Sequence, residues 1–187
     1  MVKKNACVFI SGFGSNLKSL ILKSRDPGFP INIKLIVSNN ANAKGILHAK
    51  KNSIPYIIIN TQKRDYENTL FREIEKNKIS IICLAGFMKI ISKEFIKKVN
   101  RKIINIHPSL LPKFKGLNTF ERILKNNEKL TGCTVHYVNE NLDSGKVIIQ
   151  KSFYIDKDDN IETLKKKTQR LEYLAYPEAI IKIYRYN

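Results

Sequence analysis

The sequence predicts an α/β fold: a mostly parallel sheet flanked by helices, an antiparallel extension of that sheet toward the C-terminus, and a long final helix. Three observations carry this expectation. Short continuous apolar runs, rich in isoleucine and valine, alternate with amphipathic stretches as far as residue 106, which is the pattern of βαβ units with strands buried on both faces. After Gly116 two strand-like runs follow one another, joined by a polar loop. From Ile161 onward the spacing is helical to Ile183.

The first run, Ala6 to Ser11, ends at a glycine-rich turn. Lysines ahead of it give a superficial likeness to a signal peptide, but the apolar run is short and no small-residue cleavage site follows, so it reads as a first strand. Ile31 to Ser38, Tyr56 to Asn60, Ile79 to Leu84 and Ile103 to Ile106 read as further strands. Between them Leu17 to Lys23, Gly45 to Asn52, Asp65 to Asn77 and Ser92 to Val99 have helical spacing. Asn118 to Asn126 reads as a helix, and Gly132 to Val138 and Val147 to Tyr154 as paired strands around the polar loop Asn139 to Gly145. An interruption is expected near Pro177, because proline removes a backbone donor and crowds the preceding turn. Ligands of such a sheet gather at the carboxyl ends of its strands.

Composition excludes several classes. With 43% hydrophobic and 27% charged residues the chain is globular and soluble rather than disordered. Its longest apolar stretch, Ile79 to Ile91, is interrupted by Cys83, Gly86 and Lys89 and is too short for a bilayer. No membrane partner is expected. Cys7, Cys83 and Cys133 are far apart and lie in or beside apolar runs, as buried thiols in a reducing cytoplasm do. Neither they nor the three histidines have metal-ligand spacing, so no metal is expected. The formal charge of +18 invites a nucleic-acid reading, but the lysines are dispersed along the whole chain without interleaved aromatics. Abundant Lys, Ile and Asn together fit compositional drift at neutral surface positions. Attraction of anionic small substrates and weak RNA affinity remain the other readings, and no nucleic-acid partner is expected.

Three constellations carry chemistry. Asn105 and His107 stand two positions apart at a strand end, so both side chains leave the same face. A neutral donor and a proton carrier can there address one developing oxyanion, with Pro108 and Pro112 stiffening the exit; a plain strand end with a Pro-rich turn is the alternative. Gly14, Ser15 and Asn16 form a glycine turn opening a helix, where backbone N–H groups and side-chain donors or caps suit a phosphate. That turn lacks both the Walker lysine and the third glycine of a dinucleotide fingerprint, and an ordinary βα turn also explains it. Asp143, in Asn-Leu-Asp-Ser-Gly, is either a turn residue or a carboxylate that raises the pKa of His107.

Taken in order, ISGFGSNL, LAGFMKIIS (84–92), INIHPSLLP (104–112), TVHYV with NLDSG (134–145) and QRLEYLAYP (169–177) cover nearly the whole chain. Together they resemble the phosphoribosylglycinamide formyltransferase family. NIHPSLLP is shared by formyltetrahydrofolate-using enzymes generally, whereas the GSN turn points to the glycinamide ribonucleotide branch. The resemblance implies a single Rossmann-like formyltransferase domain over residues 1–187, with ribonucleotide binding in the N-terminal half and folate binding and catalysis in the C-terminal half. It implies transfer of the formyl group of 10-formyltetrahydrofolate, a dissociable cosubstrate, to the amine of 5′-phosphoribosylglycinamide in cytoplasmic purine synthesis. Asn105, His107 and Asp143 fall on the catalytic triad, Gly14, Ser15 and Asn16 on the phosphate turn, and Gln169 and Glu172 on the glycinamide contacts. The folate site falls on Met88, Lys89, Ile90 and Ile91 with Val138, Asn139, Glu140, Asn141 and Leu142, and Arg64 is a candidate for the glutamate tail.

The expected roles follow. The amine is held neutral near Glu172, Asn105 and protonated His107 stabilise the oxyanion, and Asp143 orients His107 and a proton-relaying water. Lys89 stands where many relatives have arginine, losing the bidentate fork, and Asn118 and Phe120 stand where relatives often have histidines. His136 matches a family histidine but equally suits a hydrogen-bonded core position, and His48 reads as a surface residue. Related folate enzymes with another acceptor, methionyl-tRNA formyltransferase or formyltetrahydrofolate deformylase, are the alternative reading. Oligomeric state is left open.

Overall fold

Every residue of the segments 6–10 and 81–84 is buried, which only strands covered on both faces achieve. In the computed structural model, which describes residues 2–185, these segments belong to β1 (Lys4–Ile10) and β4 (Ile81–Leu84). The other elements are α1 (Ser15–Ser24), β2 (Ile31–Ser38), α2 (Ile46–Lys51), β3 (Tyr56–Ile58), α3 (Tyr66–Lys76), α4 (Lys93–Val99), β5 (Lys102–His107), α5 (Thr119–Lys125), β6 (Leu130–Tyr137), β7 (Val147–Tyr154) and α6 (Ile161–Arg185). Strand order is β3-β2-β1-β4-β5-β6-β7. β1 pairs in parallel with β2 and β4, and β2 with β3, while β6 and β7 are antiparallel. The expected α/β fold, its antiparallel extension and its long last helix are all present. Two compact units divide within β5, the first ending at Ile104 and the second beginning at Asn105.

In the first unit α1 buries Leu17, Leu20 and Ile21, an i, i+3, i+4 stripe, and lies against β2. α3 buries Leu70 and Ile74, an i, i+4 pair, and lies against α4. Each such side chain contributes about 1.5–3 kcal/mol on full burial, which is what seats the helices and leaves the loops after β1, β2 and β4 free to carry chemistry. Cys7 and Cys83 are wholly buried thiols outside any disulfide, as is Cys133 in the second unit. Burial pushes the Cys133 thiol up to about 12, so it is no nucleophile at neutral pH.

In the second unit α6 packs on β6 and β7. The expected break at Pro177 does not occur, and the helix continues to Arg185. Pro177 cannot donate to the carbonyl four residues earlier, a cost of about 3 kcal/mol. Tyr176, Ile180 and Ile183 on the same stretch are buried almost completely, and at about 1.5–3 kcal/mol each their burial outweighs that loss. β6 also begins at Leu130, two residues before the expected start. Among the described residues no helix is long and apolar enough to cross a membrane.

Candidate active site

β5 ends at His107, and its alternation sends Asn105 and His107 out on one face. His107 is only 5% exposed. Its partner comes from the loop between β6 and β7, which folds on itself: Asn139 Oδ1 accepts from the Asn141 N–H (3.0 Å) and the Ser144 hydroxyl (2.9 Å). Gly145 closes the loop where a Cβ would meet the Tyr137 carbonyl oxygen at 1.7 Å. That tight closure holds Asp143 in the left-handed region at φ 46°, and the residue is 8% exposed. Asp143 Oδ2 lies 3.2 Å from His107 Nδ1 and accepts from the Gly116 N–H at 2.8 Å.

His136 completes the cluster. Its Nδ1–H donates to the Tyr137 carbonyl (2.9 Å), so the lone pair of Nε2 accepts from Asn105 Nδ2 (3.3 Å). The same Nε2 is 3.6 Å from Asp143 Oδ1, an electrostatic contact longer than a hydrogen bond. The structure therefore brings Asn105, His107 and Asp143 together and adds two groups that the sequence reading left aside. His136 had an ambiguous signal, being matched by resemblance yet equally suited to a core. The Gly116 N–H had none, because a backbone donor 27 residues away from its acceptor leaves no mark in side-chain patterns.

Nε2 of His107 lies 2.9 Å from the carbonyl oxygen of Phe114, a residue held at φ 57°. One expectation about His107 needs correction. The ring does not titrate above its ordinary value: burial, aided by the His136 and Arg122 charges, lowers its pKa more than the Asp143 charge and the Phe114 carbonyl raise it. Protonation nevertheless gives each ring nitrogen an oxygen to donate to. The ring is thus neutral near pH 7 in the chain alone, with both partners of the imidazolium already in place. For Asp143, burial acts to raise the pKa, but the His136 contact, the Gly116 N–H and the histidine charges together hold it below the usual carboxylate range.

In the first unit Gly14 is the N-cap of α1 at φ 70°, with no side-chain cap, so the expected capping by Ser15 or Asn16 is not formed. The turn is shaped instead by Gly45. A Cβ on Gly14 would lie 2.7 Å from Gly45 Cα, and the Gly45 N–H donates to the Gly12 carbonyl (2.9 Å). Ser15 is half-buried at the helix start and Asn16 is buried. His48 is half-buried beside Gly14 rather than a plain surface residue, its pKa lowered by burial and by Lys18 and Lys51.

Of the folate candidates, Met88, Lys89 and Ile90 are exposed after β4, and Ile91 is buried just ahead of α4. Ser92 caps α4, and its N–H and hydroxyl both donate to Glu67. Arg64 is exposed in the turn before α3. In the second unit Val138 is half-buried, and Asn139, Glu140, Asn141 and Leu142 are exposed on the loop that carries Asp143. Gln169 and Glu172 are half-buried three positions apart on α6, hence on one face. The Glu172 charge also reaches Cys133, whose pKa it raises. Asn118 is exposed and Phe120 half-buried at the start of α5.

The formyl transferase family matches residues 4–180. The trifunctional purine biosynthetic protein adenosine-3 of Bos taurus is 39% identical over 182 residues, which are 95% of this chain but 18% of that protein. The chain thus spans under a fifth of the length of these trifunctional relatives. Phosphoribosylglycinamide formyltransferase of Haemophilus influenzae is 36% identical over 183 residues, covering 95% of this chain and 85% of that protein. The crystal structure of phosphoribosylglycinamide formyltransferase from Brucella melitensis superposes with a TM-score of 0.92 at 37% identity, over 97% of this chain and 96% of that one. With the family matched across nearly its whole length, and single-function relatives covered almost end to end, the chain belongs to the formyl transferase family, among its phosphoribosylglycinamide formyltransferases.

Proposed function

We propose that this chain transfers the formyl group of 10-formyltetrahydrofolate to the amine of 5′-phosphoribosylglycinamide, a step of purine synthesis in the cytoplasm. The observation that supports this best is the buried cluster of Asn105, His107, His136 and Asp143 at the end of β5. The folate supplies the formyl carbon. As the amine nitrogen bonds to that carbon and the bond to the folate nitrogen breaks, the proton lost by the amine ends on the folate nitrogen, and negative charge passes through the formyl oxygen. One N–H of Asn105 is held on His136, leaving the other for that oxygen. His107 takes up a proton from solvent as that negative charge develops, turns its Nε2–H from the Phe114 carbonyl to the oxygen, and returns the proton to solvent when the formyl carbonyl re-forms. Asp143 meanwhile accepts from Nδ1–H and stabilises the charged ring. Negative charge arriving beside the ring offsets the burial that keeps it neutral beforehand.

The ribonucleotide phosphate is assigned to the turn Gly14, Ser15 and Asn16, where α1 begins without a side-chain cap and its first N–H groups can meet an anion. Gln169 and Glu172 are assigned to the glycinamide end. Exposed apolar groups at Met88, Ile90 and Leu142 suit the folate rings, Lys89 and Arg64 suit the carboxylates of its tail, and backbone groups of residues 138–142 suit the polar edge of the pterin. Ribonucleotide binding then belongs mainly to the N-terminal half, and catalysis to the C-terminal half.

Incubation of the purified protein with both substrates tests the reading, with formylglycinamide ribonucleotide as the expected product. Formate released without an acceptor, or preferential formylation of charged methionyl-tRNA in direct competition, would replace this assignment with that of a related folate enzyme.

A further inference from the structure

Ser11 follows the last residue of β1 and has four hydrogen bonds, all within the first unit. Its N–H donates to the Gly86 carbonyl (3.1 Å), and its carbonyl accepts from Asn40 Nδ2 (3.2 Å). Its hydroxyl donates to Asn39 Oδ1 (2.6 Å) and accepts the Met88 N–H (2.8 Å). A serine hydroxyl has one proton and two lone pairs. With the proton committed to Asn39, a lone pair is fixed in the direction of Met88. Asn40 is itself steadied, since its N–H donates to Ser38 Oγ (3.1 Å) and its Oδ1 accepts from the Asn42 N–H (2.9 Å).

The Ser11 hydroxyl therefore joins the loop after β2 to the loop after β4, and Ser11 itself opens the loop after β1. The turn assigned to the phosphate begins at Gly14, three residues after Ser11, and the intervening Gly12 carbonyl accepts from the Gly45 N–H. The segment assigned to the folate starts at Met88, and the preceding Phe87 ring packs edge-on against Phe9 of β1, with centroids 5.2 Å apart at 75°. Neither loop shifts at its root without disturbing the Ser11 hydroxyl.

We infer that Ser11 is a positioning residue that couples the two substrates, so that the ribonucleotide on its turn favours the seating of the folate at Met88, and the reverse by linkage. The inference rests on the function proposed above. It asks more than correct folding of Ser11, because the coupling runs through one directional hydroxyl, which threonine retains and alanine lacks.

The test uses the intact protein and a pair of ligands that cannot react, 5′-phosphoribosylglycinamide and tetrahydrofolate lacking the formyl group. Titration calorimetry gives the affinity of each alone and with the other saturating. For the wild type the affinity should rise about fivefold in the ternary complex, about 1 kcal/mol at 1.4 kcal/mol per tenfold. Ser11→Ala should bring that ratio to about one, Ser11→Thr should restore it, and the pH profile of turnover should stay unchanged in both. Asn39→Ala, which removes the acceptor and frees the hydroxyl to rotate, should also reduce the ratio and serves if Ser11→Ala folds poorly. A wild-type ratio of one, or a ratio unchanged in Ser11→Ala or in Asn39→Ala, overturns the coupling while leaving the proposed function intact. A wild type that fails to formylate the ribonucleotide overturns both.

Discussion

Replacing Asp143 by asparagine removes one negative charge from a site whose shape it barely changes. The amide oxygen can still accept the Gly116 N–H now bonded at 2.8 Å, and the amide N–H groups can face His136, whose Nε2 is 3.6 Å from the present carboxylate. What is lost is the charge 3.2 Å from His107 Nδ1. At an effective dielectric constant of about 20, two unit charges roughly 4 Å apart attract by about 4 kcal/mol. In the ground state the ring is neutral and little of this is felt; as the ring becomes charged in the transition state most of it is. At about 1.4 kcal/mol per tenfold, kcat should fall by roughly 100- to 1,000-fold while both KM values stay within about threefold. Steady-state formylation of 5′-phosphoribosylglycinamide reads this directly, and NMR titration of the His107 ring should show its pKa falling further below the ordinary value, because a contribution that raises it has gone. Turnover within about tenfold of wild type, or a loss confined to KM, would refute the argument that Asp143 acts through the charge on His107.

Gly14→Val should raise KM for the ribonucleotide about tenfold or more, as losing a hydrogen bond to a charged phosphate implies, because the new side chain would sit at φ 70° with its Cβ 2.7 Å from Gly45 Cα. Folate affinity should change less than about twofold, since the turn is assigned to the ribonucleotide alone; a fall in folate affinity instead would move the turn to the other substrate. Stability should fall with pH in two steps of the same sign. His107 is held below its ordinary value, so between about 6.5 and its lower folded pKa the unfolded chain binds a proton that the folded chain refuses. Asp143, also depressed, contributes stability that is complete above its ordinary value and lost as pH falls through the folded one. Thermal melts from pH 8 downward should show Tm dropping below about 6.5, less so in His107→Gln; an unchanged slope in that variant would remove His107 as the cause. Excess tRNA should hardly inhibit formylation at physiological salt, because the lysines behind the +18 charge are dispersed. Strong, steeply salt-dependent inhibition would show that the charge serves nucleic acid.

Much of this protein could be read before any coordinates. Strands were legible because isoleucine- and valine-rich runs buried on both faces have no other stable form, as in β1 and β4. Asn105 and His107 were legible as a pair because the period of a strand is fixed by its backbone. Glycines at 14 and 145 marked turns, though not what they press against, Gly45 in one case and the Tyr137 carbonyl in the other. Tertiary structure decided the rest. Local propensity breaks the last helix at Pro177, and only the burial of Tyr176, Ile180 and Ile183 carries it through. Sequence placed a carboxylate near an imidazole and so implied a raised pKa, but the sign depends on how far water is excluded, and burial prevails at His107. The Phe114 carbonyl on its Nε2, the Gly116 N–H on Asp143, and the Asn39 and Met88 contacts of Ser11 join residues 7 to 77 positions apart. Such bonds use the backbone or a single hydroxyl, groups that nearly every residue or any serine possesses, so composition and spacing determine which residues can react while the packed chain determines what each of them faces.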